Sequence, residues 1–242
     1  FPGKPLQKIC GIPMIGHVYF RSKMANILDE LYVATCDQSI VDYINSIGGK
    51  AIMTAKTHER ASDRTAEALL KIEKETGKEA DIVVMLQGDE PMIFPEMIDD
   101  AVKPLLQSSA IMVSNLMAKL KTNKEYEDPN EVKVVVDQND NALYFSREPI
   151  PSRKKYEGEI TSYKQVCVIP FRRDCLLKYT KLHPTPLEII ESVDMNRFLE
   201  NNIQIKMVLT THYTLAVDTI EDLKNVESYM DYDKLINKYS DE

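Results

Sequence analysis

The residues best suited to chemistry follow an apolar run. Asp81-Ile82-Val83-Val84-Met85-Leu86 leads directly into Gln87-Gly88-Asp89-Glu90-Pro91. A run of branched apolar residues of that length predicts a strand buried on both faces. The turn behind it stands at the carboxyl end of the strand, the rim where open α/β sheets bind ligands. An aspartate delivered there, after a glycine that lets a ligand approach closely, suits a metal–phosphate site. Gly-Asp and Glu-Pro are also ordinary turn dipeptides, so the segment by itself equally admits a surface turn. A second aspartate stands in Val217-Asp218-Thr219-Ile220-Glu221-Asp222. Thr219 is placed to cap a helix whose first turn carries Glu221 and Asp222, which leaves Asp218 outside the helix and free to bind metal. Each aspartate alone is compatible with a structural role. Together they would give Mg²⁺ the hard oxygens it prefers while leaving positions for phosphate and water.

Cations are available nearby in type. Pro2-Gly3-Lys4-Pro5-Leu6 is short and rigid, and it presents a lysine beside a glycine, with backbone amides free to help hold a phosphate. A surface lysine between prolines is the plainer alternative. His58-Glu59-Arg60-Ala61-Ser62-Asp63-Arg64 lies between a strand and a helix start, and its amides and two arginines suit an anion. Asp63 as a capping carboxylate with Arg64 as its exposed partner explains the same residues. Two carboxylates from distant strand ends and a lysine loop describe phosphoryl or nucleotidyl transfer.

The elements that must position these groups alternate in the first half as βαβ units do. Helices are predicted over 13–26, 38–47, 62–76 (capped by Ser62, with Gly77 past its end) and 95–106, and strands over 31–35, 50–54 and 81–86. In the second half, strands over 132–136 and 142–146 flank Asp137-Gln138-Asn139-Asp140-Asn141, a hairpin signal. A long polar loop over 146–163 carries Arg147, Arg153, Lys154 and Lys155. Then come a strand over 165–169, helices over 174–182 and 186–201, a strand over 203–209, the helix opened at 217–219, and a charged tail over 231–242. The expected fold is α/β in one domain: a mostly parallel twisted sheet flanked by helices, with an inserted antiparallel lobe over 131–202.

The chain has 242 residues and a formal net charge of −8, which argues against a nucleic-acid partner but not against a nucleotide. No apolar run is long enough for a membrane helix, and no signal-peptide pattern is present. Cys10, Cys36, Cys167 and Cys175 lack the pairing of a zinc site and read as reduced thiols of a cytoplasmic protein. The chain opens without Met and without a first strand, so it is expected to lack its true amino terminus.

Ordered motifs along nearly the whole chain carry a resemblance: FPGKPL at 1–6, GIPMIGHVY at 11–19, YVATCD at 32–37, ASDR at 61–64, QGDEP at 87–91, ALYFSREPIPSR at 142–153, PTPLE at 184–188 and AVDTIEDL at 216–223. The sequence resembles the cytidylyltransferases that make CMP-activated 3-deoxy-manno-octulosonate (Kdo), the sugar acid of lipopolysaccharide. The resemblance implies a strand and an arginine-bearing nucleotide loop ahead of FPGKPL. It implies CTP and a Kdo-like acid as substrates, and a homodimer paired through the lobe that closes the sugar site. Asp89 and Asp218 would hold Mg²⁺, with a second Mg²⁺ on the β- and γ-phosphates. Lys4 would stabilise the transferred phosphate. Gly3, Ala61, Ser62, Arg64 and Gln87 would hold the nucleotide and reacting groups, and Gln87, Arg147, Gln165 and Asp194 would face the acid. The chain departs from the family pattern at Cys36-Asp37, usually two aspartates, and in Arg60 to Arg64, usually SGTDR. On the sugar side Gln165 replaces a histidine, Ile169 a tyrosine and Asp194-Met195 a Glu-Gln pair. The alternatives are the same reaction on 8-amino-Kdo or a nonulosonate, another nucleoside triphosphate, and a non-catalytic sugar-nucleotide sensor on the same fold.

Overall fold

The computed structural model describes residues 3–240. In chain order it runs β1 (Lys8–Ile9), β2 (Ile12–Pro13), α1 (Met14–Lys23), β3 (Val33–Thr35), α2 (Gln38–Ser46), β4 (Ala51–Met53), α3 (Ala61–Thr76), β5 (Ile82–Leu86) and α4 (Pro95–Gln107). It continues through β6 (Val113–Lys119), α5 (Asn123–Glu127), β7 (Lys133–Val136), β8 (Ala142–Ser146), β9 (Tyr163–Val166) and β10 (Val168–Arg172). Then follow α6 (Arg173–Tyr179), α7 (Pro186–Glu191), α8 (Met195–Glu200), β11 (Ile205–Thr210) and α9 (Ile220–Met230). Two units are distinguished: one takes the chain up to Ala80, Leu86–Asp99 and the chain from Tyr213 onward; the other takes Asp81–Met85 and Asp100–His212.

In the first unit β3 and β4 pair in parallel, joined by α2, as a βαβ unit requires. Asp37 caps α2 by accepting a bond from the Ser39 amide, so one of the Cys36-Asp37 pair has a structural duty. Two apolar clusters hold this unit. Ile15, Tyr19 and Phe20 of α1 pack with Ile40 and Ile44 of α2 and with Tyr239. Ile9, Met14, Met92, Val217, Val226 and Met230 form the other, which anchors the residues beside both candidate metal aspartates. The predicted charged tail is corrected here. Residues up to Ser240 include a 3₁₀ turn at Ile236–Lys238, and Tyr239 is buried, stacked on Phe20. Its apolar ring outweighs the charges around it. Asp241 and Glu242 lie outside the described residues.

The second unit is built on β6. β11 lies parallel to β6 from Val113 to Ala118. Along β6 also run β9 and β10, antiparallel, as two segments of one strand interrupted at Cys167. β9 continues to β7 and β8, and β10 to β5. The α/β class holds, but the sheet is mixed rather than mostly parallel, because β9 and β10 run antiparallel to β6 and the antiparallel β7 and β8 extend the sheet beyond β9. The β7–β8 hairpin forms where expected, with Asp137 accepting from the Asn139 and Asn141 amides at 2.8 Å each. Three further expectations are corrected. β5 is only partly buried, with Met85 its one buried residue, because it ends the sheet. The predicted helix over 186–201 is two helices, broken at Ser192, which sits at φ 53. Strand β6 was not expected at all: Ser114 and Asn115 interrupt its apolar run, yet both are fully buried with satisfied hydrogen bonds. Among the described residues no helix is long and apolar enough to cross a membrane, and no disulfide joins the four cysteines.

Candidate functional site

Gly3 takes a left-handed conformation, φ 70 and ψ 14, at the entrance of a 3₁₀ turn, Lys4–Leu6, where Pro5 fixes the next φ. That turn aims Lys4; Pro2 lies outside the described residues. Behind β5, a Cβ at Gly88 would stand 3.0 Å from the end of the Ile15 side chain, a tight contact. The glycine thus lets the Ile15 side chain of α1 come close to the turn. Glu90 is buried and accepts from Thr214 Oγ1 at 2.8 Å, which leaves Asp89 as the outward carboxylate of the pair.

The two aspartate segments are tied by backbone: the Val217 amide donates to the Asp89 carbonyl at 2.9 Å. Thr219 caps α9, as the sequence predicts, and Asp222 returns the bond in a reciprocal capping box, with Asp218 just ahead of it. The result is a convergence. Lys4 Nζ lies 2.9 Å from Asp89 Oδ2 and 3.3 Å from Asp218 Oδ1. Burial works to lower the Lys4 pKa, but the charges and hydrogen bonds of Asp89 and then Asp218 outweigh it and hold the ammonium above the usual lysine range. Two hard oxygens from separate loops thus already share one cation.

Around α3 the outcome is mixed. Ala61 opens the helix and Arg60 is its N-cap, so Ser62 is the buried second helical residue and not the cap. The Arg64 guanidinium turns back into the preceding loop, donating to Thr54 Oγ1 and to the Ala55 and His58 carbonyls. Glu67, unremarked in the sequence, organises that loop: it accepts from the Ala55 amide and pairs with Lys71 and His58. The Lys71 bond, then the Ala55 amide and His58, hold its pKa at about 2. Gln87 follows β5 directly and is half-buried.

Of the residues expected to face the acid, Gln87 lies in the first unit, and Arg147, Gln165 and Asp194 lie in the second. Arg147 is largely committed to backbone, donating to the Glu191, Pro129 and Ser192 carbonyls at 2.7, 2.9 and 3.4 Å. The Glu191 carboxylate, which the sequence reading missed, accepts from Tyr144 Oη, Ser146 Oγ and the Arg147 amide. Burial tends to raise its pKa, but those bonds win and lower it. Asp194 is the N-cap of α8, although its side chain makes no cap bond. Gln165 Nε2 donates to Asn115 Oδ1 at 2.7 Å.

A model of the cytidylyltransferase family matches residues 1–205. The chain belongs to the cytidylyltransferase family. A 3-deoxy-manno-octulosonate cytidylyltransferase of Geobacter metallireducens is 41% identical over 236 residues, covering 93% of this chain and 91% of that protein. One of Fusobacterium nucleatum is 42% identical over 228 residues, covering 94% and 90%. Among solved structures, a CMP:2-keto-3-deoxy-manno-octonic acid synthetase complexed with CTP is similar at a TM-score of 0.86 and 37% identity, over 96% of this chain and 92% of that one. A putative glucose-1-phosphate thymidylyltransferase of Bacillus anthracis, at TM-score 0.61 and 17% identity over 96% and 87%, shares the fold. This member of the family is a nucleotidyltransferase, and the Lys4–Asp89–Asp218 convergence lies within the segments that its sequence motifs singled out.

Proposed function

We propose that the protein transfers CMP from CTP to the anomeric hydroxyl of Kdo or a closely related sugar acid, releasing pyrophosphate, for lipopolysaccharide or surface polysaccharide synthesis. The observation that carries this reading is the convergence of Asp89 and Asp218 on one cationic centre, the Lys4 ammonium. A protein that only binds sugar nucleotides has no need of such a centre.

Asp89 and Asp218 would hold Mg²⁺. Their oxygens are of the kind that ion prefers, and two carboxylates leave positions for phosphate and water. When bound, the ion supplies charge neutralisation at the transferred phosphate and a lowered pKa for the attacking hydroxyl. Lys4, kept protonated by its partners, would stabilise charge developing on the phosphoryl oxygens as pyrophosphate leaves. Gly3 and the first turn of α3, with Ala61 and Ser62, would offer backbone amides to the nucleotide. Arg64 would contribute only with donors its loop bonds leave over. Gln87 would bridge nucleotide and acid. Arg147, Gln165 and Asp194, carried by the proposed lobe over 131–202, would read the acid's polar groups.

Exposed apolar side chains of the second unit, Leu143 on β8 and Ile189 and Ile190 on α7, support a homodimer; sedimentation equilibrium showing a monomer at micromolar concentration overturns it. Four cysteines that form no disulfide among the described residues support a reducing, cytoplasmic setting. The test of function is pyrophosphate release with each of CTP, UTP, ATP and GTP against Kdo, 8-amino-Kdo and a nonulosonate. Turnover that needs both CTP and a 3-deoxy sugar acid is expected; release with no acid present contradicts the reading.

A further inference from the structure

Asn115 sits at the centre of β6 and is fully buried, yet a polar amide in a sheet core needs every bond accounted for. Its Nδ2 donates to the carbonyls of Val166 at 2.7 Å, Leu116 at 3.1 Å and Val168 at 3.3 Å. Val166 and Val168 flank Cys167, where β9 gives way to β10. Against β6, Val166 is paired with Leu116 and Phe171 with Val113, so the interrupted strand is longer than the stretch it faces. The Asn115 amide fills that irregularity.

Backbone carbonyls can only accept, so the end of Asn115 that meets them is its NH₂, and its Oδ1 is the end that meets Gln165. Gln165 must then turn its own Nε2 inward, which it does at 2.7 Å. The amide orientation of Gln165 is thus dictated by main-chain groups two links away. Its Oε1, the other corner of the same amide, accepts no bond among the described residues. Gln165 is itself held on β9 by its amide, which donates to the Val132 carbonyl at 2.8 Å.

We infer that Asn115 is a positioning residue for substrate selection: it locks Gln165 so that a side-chain carbonyl, an acceptor, is presented to the sugar acid. The inference rests on the proposed function and adds the chemical class of the group being read. That group is a donor, a hydroxyl or a protonated amine, and the acid's carboxylate is read elsewhere. A site built around a fixed acceptor discriminates strongly against an analogue lacking the donor, because the oxygen would be left unpaired.

A double-mutant cycle separates positioning from mere packing. Asn115→Leu is expected to raise the KM for the acid about tenfold, the scale of one well-placed hydrogen bond, with the KM for CTP nearly unchanged. Gln165→Leu should do the same, and the double variant should be no worse than the poorer single one. Additive losses, or a parallel rise in the KM for CTP, overturn the inference. If Asn115→Leu fails to fold, Gln165→Leu alone still decides, since an unchanged acid KM there removes any role for the lock. A wild-type protein inert with CTP and every acid overturns the proposed function and this inference with it, whereas an active wild type with additive variants overturns only this one.

Discussion

Lys4, Asp89 and Asp218 come from three separate parts of the chain, and one backbone bond, Val217 to Asp89, sets the spacing of the two carboxylates. The ammonium between them is the group whose charge would matter most as the phosphate is transferred. Replacing Asp89 or Asp218 by Asn is expected to cut turnover by roughly a hundredfold or more while leaving the fold intact. The double variant should lose little beyond either single one, because residues acting as a unit are not additive. Near wild-type turnover of either variant at saturating Mg²⁺ rules out the two-aspartate site. Lys4→Ala should lower kcat much more than it weakens CTP binding, since its charge is matched to the transition state; unchanged kcat with weaker CTP binding would make Lys4 a ground-state anchor. Asp218 was legible in the sequence because the capping pair Thr219 and Asp222 is local. The fate of Arg64 was not, because its acceptors, Thr54, Ala55 and His58, are loop atoms whose direction no spacing reveals. Asn115 and Glu191 were missed for the same reason: each matters through partners distant in sequence.

Among the elements, α7 and α8 bear most on how Asp194 is held. A single helix predicted over both is broken by the left-handed Ser192, and the two pieces are clasped by a buried ion pair. Glu188 accepts from Arg197 Nε and Nη2, and the Arg197 guanidinium lies 4.5 Å over the Tyr179 ring. Removing one partner leaves the other charge buried and alone, so Arg197→Met should destabilise the protein by roughly 3 kcal/mol or more in urea unfolding. A loss within experimental error would show that the pair contributes nothing to the clasp. Most helices and strands of the first half were legible because glycines and period agree locally, as at α2 and α3, although Arg60 and not Ser62 caps α3. Strand β6 escaped because its polar pair, Ser114 and Asn115, is satisfied only by tertiary partners. The parallel bias expected of the sheet failed where β9 and β10 run antiparallel to β6, a matter of connectivity that period cannot report.

The chain's stability as a whole should carry a pH signature from the buried tail contact. His17 Nε2 must donate to the Ile9 carbonyl at 2.8 Å, so its Nδ1 accepts from Tyr239 Oη, which in turn accepts from Arg21 Nε at 2.8 Å. Burial pushes the His17 imidazole down to about 4, although the Ile9 bond pulls the other way. The unfolded chain, with an ordinary histidine pKa of about 6.5, binds that proton more readily. Stability from this group is therefore full above about pH 6.5 and falls as the pH drops toward 4, by up to about 3 kcal/mol. The Tm of His17→Gln should fall less than wild type over that window; parallel profiles would remove His17 as the cause. Family membership was legible from motifs spread over the chain, whereas side-chain orientations such as that of Gln165 against Asn115 only the fold reveals. The central claim is group transfer from CTP to the acid, and it is most directly tested with CTP labelled at its α-phosphorus. The account predicts that the label appears on the sugar acid in equal amount to the pyrophosphate released, and that no label leaves CTP without the acid. Label that stays in free CMP, or that leaves CTP at the same rate without the acid, would contradict it.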